Sequence, residues 1–327
     1  MEFYIFHHAE FLKRYNCSVL PEERWLKERV SYPCSGITII ALGVLYLLFY
    51  IPVLFVMRRK KYLSFPCYVL MFFMGFQHIV SLIFHSFIGG FFILYGSVYC
   101  IHPDLNYIVG CFMGGLWGSQ CITCAALACN RIVELWELKC LQRVQRYTLI
   151  VWITVASMYC IGLVCVAPPA LYSSKGLMWF FNPYFGIKGL HDYDSIIFYN
   201  IYNSVNTYCV ISIISVLYFV LVVSVFYKMR MLNSNATGKI KLMILLQAGI
   251  ICSLNYATAA LFIYIQNQQS SRILKIADLF ICQANYGAGG IVYFFCSREI
   301  RSDVLALFRR SKGVKVARSP TKFTLFV

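Results

Sequence analysis

Charged residues are scarce in this chain: Asp, Glu, Lys and Arg make up 13% of its 327 residues, whereas soluble domains carry about 25%. Long polar linkers and internal repeats are also lacking. Hydrophobic residues reach 60%, which excludes a soluble enzyme. This composition favours one integral membrane domain with a short head and a short tail.

The first residues, MEFYIFHHAEFLKRYN, lack the features of a removable signal peptide. Such a peptide has a basic start, then an apolar region of about 7 to 15 residues and a cleavage site of small residues. We therefore expect the first membrane helix to direct insertion itself.

The 15 cysteines do not form a metal-binding pattern. Most of them lie in apolar runs, where free thiols behave as small hydrophobic side chains. Cys121 and Cys124 form a C-x-x-C pair with Cys129 nearby, but a zinc site needs four ligands, and no second pair lies at a matching depth. We expect no metal and no cofactor.

Seven long apolar stretches make up most of the sequence. A helix rises 1.5 Å per residue, so about 20 residues cross a ~30 Å hydrocarbon layer. The second stretch is longer than this and must tilt, kink or leave the bilayer early. The predicted spans are residues 35–57, 66–94, 108–130, 148–172, 200–227, 242–265 and 276–296.

After the seventh span, apolar residues recur at helical spacing with arginines elsewhere on the helical wheel. This pattern predicts a short amphipathic helix on an anionic membrane face. The predicted fold class is an all-α integral membrane protein, a seven-transmembrane helix bundle with this short eighth helix. Its parts are an extracellular N-terminus (1–34), the seven-helix domain (35–296) and a cytoplasmic tail (297–327).

The third span predicts a central helix. Gly110, Gly114 and Gly118 recur every fourth residue, a spacing that lets neighbouring helices approach closely in lipid. Asn130 and Arg131 follow at the point where the apolar run stops and a basic loop begins.

The basic residues alternate between the two sides of the predicted bundle. The loops at 58–65, 131–147 and 228–241 and the tail hold 20 Lys and Arg, and the other side holds nine. Because such residues stay in the cytoplasm, the N-terminus is expected outside and the C-terminus inside. The basic balance therefore indicates anionic lipids and cytoplasmic protein partners, not nucleic acid.

Five stretches follow one another in the order of a known family. They are YNC at 15–17, YIPVLFVM at 50–57, GLWGSQCITCAALACNRIVEL at 115–135, WFFNPYFGI at 179–187 and IVYFFCSREIRSDV at 291–304. In these stretches the chain resembles nematode serpentine receptors of class T, a GPCR-like chemoreceptor family. The resemblance implies an orphan, G-protein-coupled chemosensory receptor in the plasma membrane of sensory neurons, with the sensory cilia as a candidate location.

The chain departs from this family and from rhodopsin-like receptors at several motifs. His78 stands where many class T members are expected to carry an acidic residue, and Cys296-Ser297 replaces a pair such as Asn-Arg. The aspartate that usually precedes Arg131 and the Asn-Pro-x-x-Tyr motif are both absent. The usual ion lock and sodium site therefore do not transfer to this chain.

The second outer loop, 173–199, contains no cysteine, so it cannot form the disulfide that is usual in receptors. On the predicted topology, the extracellular cysteines are Cys17, Cys34 and Cys100. We expect Cys17 to pair with Cys100 because Cys34 abuts the first membrane helix, although sequence leaves the other pairings open. Asn16 begins an N-x-S glycosylation acceptor.

Asp278 is the only formal charge inside the predicted spans. It is either an interfacial residue near a helix start, where the dipole favours it, or a counter-charge for a cationic ligand. Ligands of such receptors bind in aromatic clefts between helices three, five, six and seven. Further candidates there are Trp117, Gln120, Tyr202, Asn206, Tyr256, Tyr264, Gln283 and Tyr286.

Two further pairs of residues have alternative interpretations. Asn130 and Arg131 are candidates for G-protein coupling, unless Arg131 only adds to the positive-inside charge. His78 and His85 lie seven residues apart on one helix face. They either bind a ligand or proton or are buried and hydrogen-bonded.

The sequence therefore predicts a receptor that binds an extracellular small molecule, signals through a heterotrimeric G protein and catalyses no reaction. One alternative is a ligand-gated cation channel of the insect odorant-receptor kind, whose N-terminus is cytoplasmic, contrary to the charge distribution. The other is a transporter or membrane enzyme, which usually needs several intramembrane carboxylates or broken helices.

Overall fold

Seven of the helices that the structure describes are long and apolar enough to cross a membrane, judged by length and composition. The computed structural model describes residues 1–136, 138–190, 198, 200–231, 235–267 and 271–311. Most of the predicted tail, 312–327, lies outside the described residues. In chain order the helices are α1 (Glu2–Ile5), α2 (His8–Arg14), α3 (Glu22–Lys27), α4 (Pro33–Met57), α5 (Lys60–Leu63), α6 (Pro66–Leu82), α7 (Gly89–Tyr95), α8 (Pro103–Trp136), α9 (Lys139–Val166), α10 (Ile201–Met231), α11 (Asn235–Asn267), α12 (Arg272–Cys296) and α13 (Arg298–Ser311).

Each of the seven predicted spans corresponds to one helical span of the structure, which confirms the predicted fold class. α6 and α7 form the second span together, and the fourth, fifth and sixth spans lie within α9, α10 and α11. The spans are Pro33–Met57, Pro66–Tyr95, Pro103–Trp136, Val144–Val166, Ile201–Ser224, Gly249–Gln266 and Arg272–Cys296.

The fourth span ends earlier than predicted. Its helix stops at Val166 instead of residue 172, and Ala167 is extended with ψ 139°. Pro168 explains this end, because a proline disfavours helical conformation in the residue before it and cannot donate a backbone hydrogen bond.

The long second span contains one irregular turn. Ile83–Ile88 is π-helical and joins α6 to α7 without a break. The span ends at Gly96, whose φ of 76° and ψ of 36° lie in the left-handed region that favours glycine. The predicted kink is thus a wider helical turn, and it contains His85.

The two faces of the bundle differ in construction. We call one the N-terminal face, because the N-terminal segment covers it; it carries α1 to α3 and a 3₁₀ turn at Tyr99–Ile101. The other, the C-terminal face, carries α5 and α13. In the structure a disulfide joins Cys17 to Cys100. The indole Nε1 of Trp25 donates a hydrogen bond to the carbonyl oxygen of Cys17 at 2.9 Å. The disulfide holds the N-terminal segment against the loop between the second and third spans.

The segment between α9 and α10 folds into the mouth of the bundle as a hairpin. Strands β1 (Leu171–Ser173) and β2 (Met178–Phe180) pair antiparallel, and all of their residues are buried. Asn106 of α8 forms two hydrogen bonds with the backbone of Tyr172. Its Nδ2 donates to the carbonyl oxygen of Tyr172 at 3.1 Å, and its Oδ1 accepts from the Tyr172 amide at 2.8 Å. This part of the segment therefore packs inside the bundle. Paired backbone groups allow the hairpin to be buried.

The third span, α8, lies at the centre of the bundle, as predicted. It contacts α6, α9, α10, α11 and β1. Its apolar stretch is 56% buried, against 11% for the fourth span. Helix α8 also extends past the predicted 108–130 at both ends, beginning at Pro103, a residue that the first helical turn tolerates.

Glycines bring α8 close to α9. A Cβ atom placed on Gly115 would lie 2.8 Å from the carbonyl oxygen of Cys160, and Gly110 and Gly118 likewise face α9 or the residues after it. At Gly114 such an atom has no neighbour within 4 Å among the described residues. The predicted stripe is therefore wrong at Gly114, and Gly115 makes the close contact with α9 instead.

We expect Gly115→Ala to destabilise the protein by about 1–3 kcal/mol, because the added methyl group meets backbone that cannot move aside. Gly114→Ala is the matched control, and we expect it to be neutral or slightly stabilising, since alanine favours helix over glycine by about 1 kcal/mol. The measurement is the fraction of monodisperse protein after heating, followed by size-exclusion chromatography. Equal losses in both variants would contradict the close contact.

Candidate functional site

A cavity lies below the hairpin, between α8, α10, α11 and α12. Its empty volume is about 1010 Å³, part of which is open to the outside. The aromatic side chains that line it are Trp117, Trp179, Phe181, Phe262 and Tyr286. Concave sites with mostly apolar walls and a few polar groups are typical of small-molecule binding.

Polar groups line the same cavity from several helices. Asn200, Asn203, Asn206 and Thr207 lie at or near the start of α10, Thr258 lies on α11, and Asp278 lies on α12. The spacing of three and four residues places the α10 groups on one face of the helix. The cavity therefore combines aromatic walls with amides, hydroxyl groups and one carboxyl group.

Four of the nine residues predicted for ligand binding line this cavity: Trp117, Asn206, Asp278 and Tyr286. The two glutamines do not. Gln120 donates from Nε2 to Ser81 Oγ at 2.7 Å, and Gln283 donates from Nε2 to the carbonyl oxygen of Ile39 at 2.6 Å. Each glutamine is engaged within the bundle, where it links neighbouring spans.

The remaining three tyrosines also fall outside the cavity. Tyr202, Tyr256 and Tyr264 are 49%, 48% and 52% exposed and lie on the outer surface of the bundle. The physical reason is that α10 and α11 are apolar on all sides, so the sequence does not reveal which face of each helix turns inward.

Asp278 is buried in the bundle, with 2% of its surface exposed. Because α12 already begins at Arg272, Asp278 lies in the second turn and not at the helix start. No ion pair among the described residues includes it, and its Oδ1 has no hydrogen-bond partner among them. The interfacial interpretation therefore does not describe its position.

Both histidines of the second span are buried and hydrogen-bonded. His78 Nδ1 lies 2.8 Å from Tyr50 Oη, and His85 Nε2 lies 3.1 Å from the carbonyl oxygen of Leu279. His85 also lines the cavity, whereas His78 does not. Of the two alternatives, the structural role fits the contacts of His78.

Sequence reasoning missed two groups of lining residues. Asn203 and Thr207 are separated by one helical turn from each other, and with Asn206 they form a polar face that the spacing alone indicates. Trp179 and Phe181 gave no such signal, because a short hairpin in a loop has too few residues for a period to be read.

The predicted coupling residues lie at the C-terminal face. Arg131 Nη1 lies 3.3 Å from Glu134 Oε2, and its Nη2 lies 3.7 Å from Met71 Sδ. Asn130 is buried, and its Oδ1 has no hydrogen-bond partner in the described part of the chain. Arg131 is thus partly covered and held by a weak ion pair on its own helix.

Helix α13 is anchored to the loop between the first two spans. Asp303 Oδ2 accepts a hydrogen bond from Tyr62 Oη at 2.9 Å, lies 3.3 Å from Arg59 Nη1 and pairs with Lys61 Nζ. Burial of Tyr62 and its bond to Asp303 raise the pKa of this phenol, so Tyr62 remains a proton donor at neutral pH. On the opposite side of α13, Phe308 is exposed.

Seven membrane-crossing helices, a cavity closed by a hairpin at one face and an amphipathic helix at the other are the features of a seven-transmembrane receptor. The family model described as "Serpentine type 7TM GPCR chemoreceptor Srt" matches residues 1–317. The chain belongs to this family, which confirms the resemblance found in the sequence. It is similar to serpentine receptor class T-55 of Caenorhabditis elegans, with 25% identity over 308 residues that cover 90% of this chain and 80% of the relative.

We expect Asp303→Asn to loosen α13, because loss of a hydrogen bond between charged groups costs about 1.5–3 kcal/mol. Amide hydrogen exchange over 298–311 should then accelerate, while exchange in α8 stays unchanged. Glu299→Gln is the matched control, since Glu299 forms no ion pair among the described residues. Equal protection of α13 in both variants and in the wild type would count against the anchor.

Proposed function

We propose that this protein is a chemosensory receptor that binds an external small molecule in the cavity and activates a heterotrimeric G protein at the C-terminal face. The observation that carries the proposal is the cavity between α8, α10, α11 and α12, lined by aromatic side chains and a few polar groups. Membership of a chemoreceptor family supports a receptor and not an enzyme.

We further propose a plasma-membrane location with the N-terminal face outside the cell, the sensory cilia being the candidate compartment. The 20 to 9 distribution of basic residues supports this orientation. So does the bond between Cys17 and Cys100, because disulfides persist on the oxidising side of a membrane.

Anionic lipids are the third proposed partner, beside the ligand and the G protein. Leu305 and Phe308 of α13 are exposed apolar residues, and Arg301 and Arg309 lie on the same short helix. A helix of this composition lies in the headgroup region and is attracted by anionic lipids.

Glycosylation tests the orientation. Asn16 precedes Cys17-Ser18 in an N-x-S acceptor, and Asn235 precedes Ala236-Thr237 in a second acceptor between the fifth and sixth spans. We expect Asn16→Gln to remove a glycosidase-sensitive shift in electrophoretic mobility and Asn235→Gln to leave it unchanged. A shift that depends on Asn235 would invert the orientation.

Substitution of Arg131 tests the coupling. Cells that carry a G-protein dissociation reporter are screened with small molecules, and a responding compound is applied to Arg131→Ala and to the matched control Arg146→Ala. Because Arg131 is partly buried beside Glu134 whereas Arg146 is exposed, we expect only Arg131→Ala to lose the response, with surface expression unchanged.

Two results would contradict this proposal. One is a full response in Arg131→Ala. The other is a ligand-evoked current in cells without G-protein signalling, which is the behaviour of a ligand-gated cation channel.

A further inference from the structure

The lining of the cavity combines one acid with an aromatic wall. Asp278 is the only carboxyl group among the described lining residues, and Trp117, Trp179, Phe262 and Tyr286 line the same space. Removing a carboxylate from water is costly unless a positive charge or several hydrogen-bond donors compensate for it. The protein groups around Asp278 therefore decide what the cavity can accept.

The nearest basic side chains on α12 do not compensate for Asp278. The Lys275 ammonium lies 5.4 Å from the centroid of the Phe185 ring, on the hairpin side. The Arg272 guanidinium lies 4.6 Å from the centroid of the Tyr32 ring. Both cations are engaged with aromatic faces, and neither forms an ion pair with Asp278 among the described residues.

None of the other titratable groups of the cavity forms an ion pair with Asp278 among the described residues. His85 directs Nε2 toward the carbonyl oxygen of Leu279 at 3.1 Å, and Cys282 and Tyr286 are neutral or anionic whatever their protonation state. Asp278 Oδ1 is left without a hydrogen-bond partner among the described residues. The lining thus offers a ligand the carboxyl group of Asp278, whose Oδ1 can accept a hydrogen bond or form an ion pair.

We propose that the cavity binds small organic amines, whose ammonium group pairs with the Asp278 carboxylate while the apolar body lies against the aromatic wall. This rests on the proposed function, in that it names the ligand class of the proposed receptor site. An ammonium group both offsets the charge of Asp278 and is attracted by the faces of aromatic rings such as those of Trp117 and Trp179. An alcohol of the same shape gains neither interaction to the same degree.

The test compares amines with alcohols of equal shape on the purified full-length receptor in phosphatidylcholine and phosphatidylglycerol nanodiscs. The probes are benzylamine with benzyl alcohol, 2-phenylethylamine with 2-phenylethanol, and hexylamine with hexan-1-ol. We expect at least one amine to raise the Tm of the wild type and to bind about tenfold or more tightly than its alcohol partner.

Substitutions test whether the carboxylate of Asp278 causes the preference for amines over alcohols. Asp278→Asn should abolish the preference for amines and keep any binding of the alcohols, and Asp278→Glu should retain the preference. Asp104→Asn is the matched control, because Asp104 is exposed, bonds to Tyr4 Oη at 3.0 Å and does not line the cavity. It should behave as the wild type does.

The outcomes separate this inference from the receptor role. Alcohols that bind as tightly as amines, or an amine preference that survives Asp278→Asn, would overturn the amine assignment and leave the cavity as a receptor site. Absence of any amine binding also overturns it, while the reporter screen tests the receptor role independently. If Asp278→Asn fails to fold, the comparison of amine with alcohol on the wild type still decides.

Discussion

The close contact between α8 and α9 is the interaction on which the rest of the structure depends. Gly110, Gly115 and Gly118 have no side chains, so the backbone of α8 lies directly against atoms of α9 and of the residues that follow α9. Lipid offers no hydrophobic drive for helix association, so packing of this kind must supply it. The same approach brings the residues after Val166 over α8, where Asn106 binds the hairpin. The closed mouth of the cavity thus follows from three glycines in the third span.

Polar pairs set the alignment of the other spans. Gln77 Nε2 donates to Ser119 Oγ at 2.6 Å, and Gln120 forms the corresponding bond to Ser81, so two bonds tie α6 to α8. Gln283 ties α12 to α4 through Ile39. In a medium without water these bonds specify depth and rotation. Within the described residues Asp278 alone supplies a buried carboxylate oxygen without a partner, which distinguishes it from these structural contacts.

The sequence predicted the spans, the orientation signal and the family, because hydropathy and basic loops are properties of whole segments. It did not predict which side chains face the cavity where this depends on the rotation of a helix about its own axis. α10 and α11 are apolar all round, so Tyr202 and Tyr256 were placed inside although they face outward. The hairpin was missed for a different reason: β1 and β2 have three residues each, too few for a period to be read. Their backbone is held by Asn106, which lies 66 residues before Tyr172 along the chain. Only tertiary structure holds that information.

A path of packed rings connects the cavity with the C-terminal face. Tyr286 lines the cavity and its ring centroid lies 6.4 Å from that of His78. His78 is bonded to Tyr50, and the Tyr50 ring lies 6.4 Å from Tyr293, which packs in one apolar cluster with Ile300 of α13. Contact alone does not transmit a signal; a ligand shifts such a bundle only as far as it binds one arrangement more tightly than another. The rings are suited to this role because interlocked aromatic side chains adopt discrete packings and do not deform continuously. These contacts join the lining of the cavity to α13 through side chains of the second, first and seventh spans.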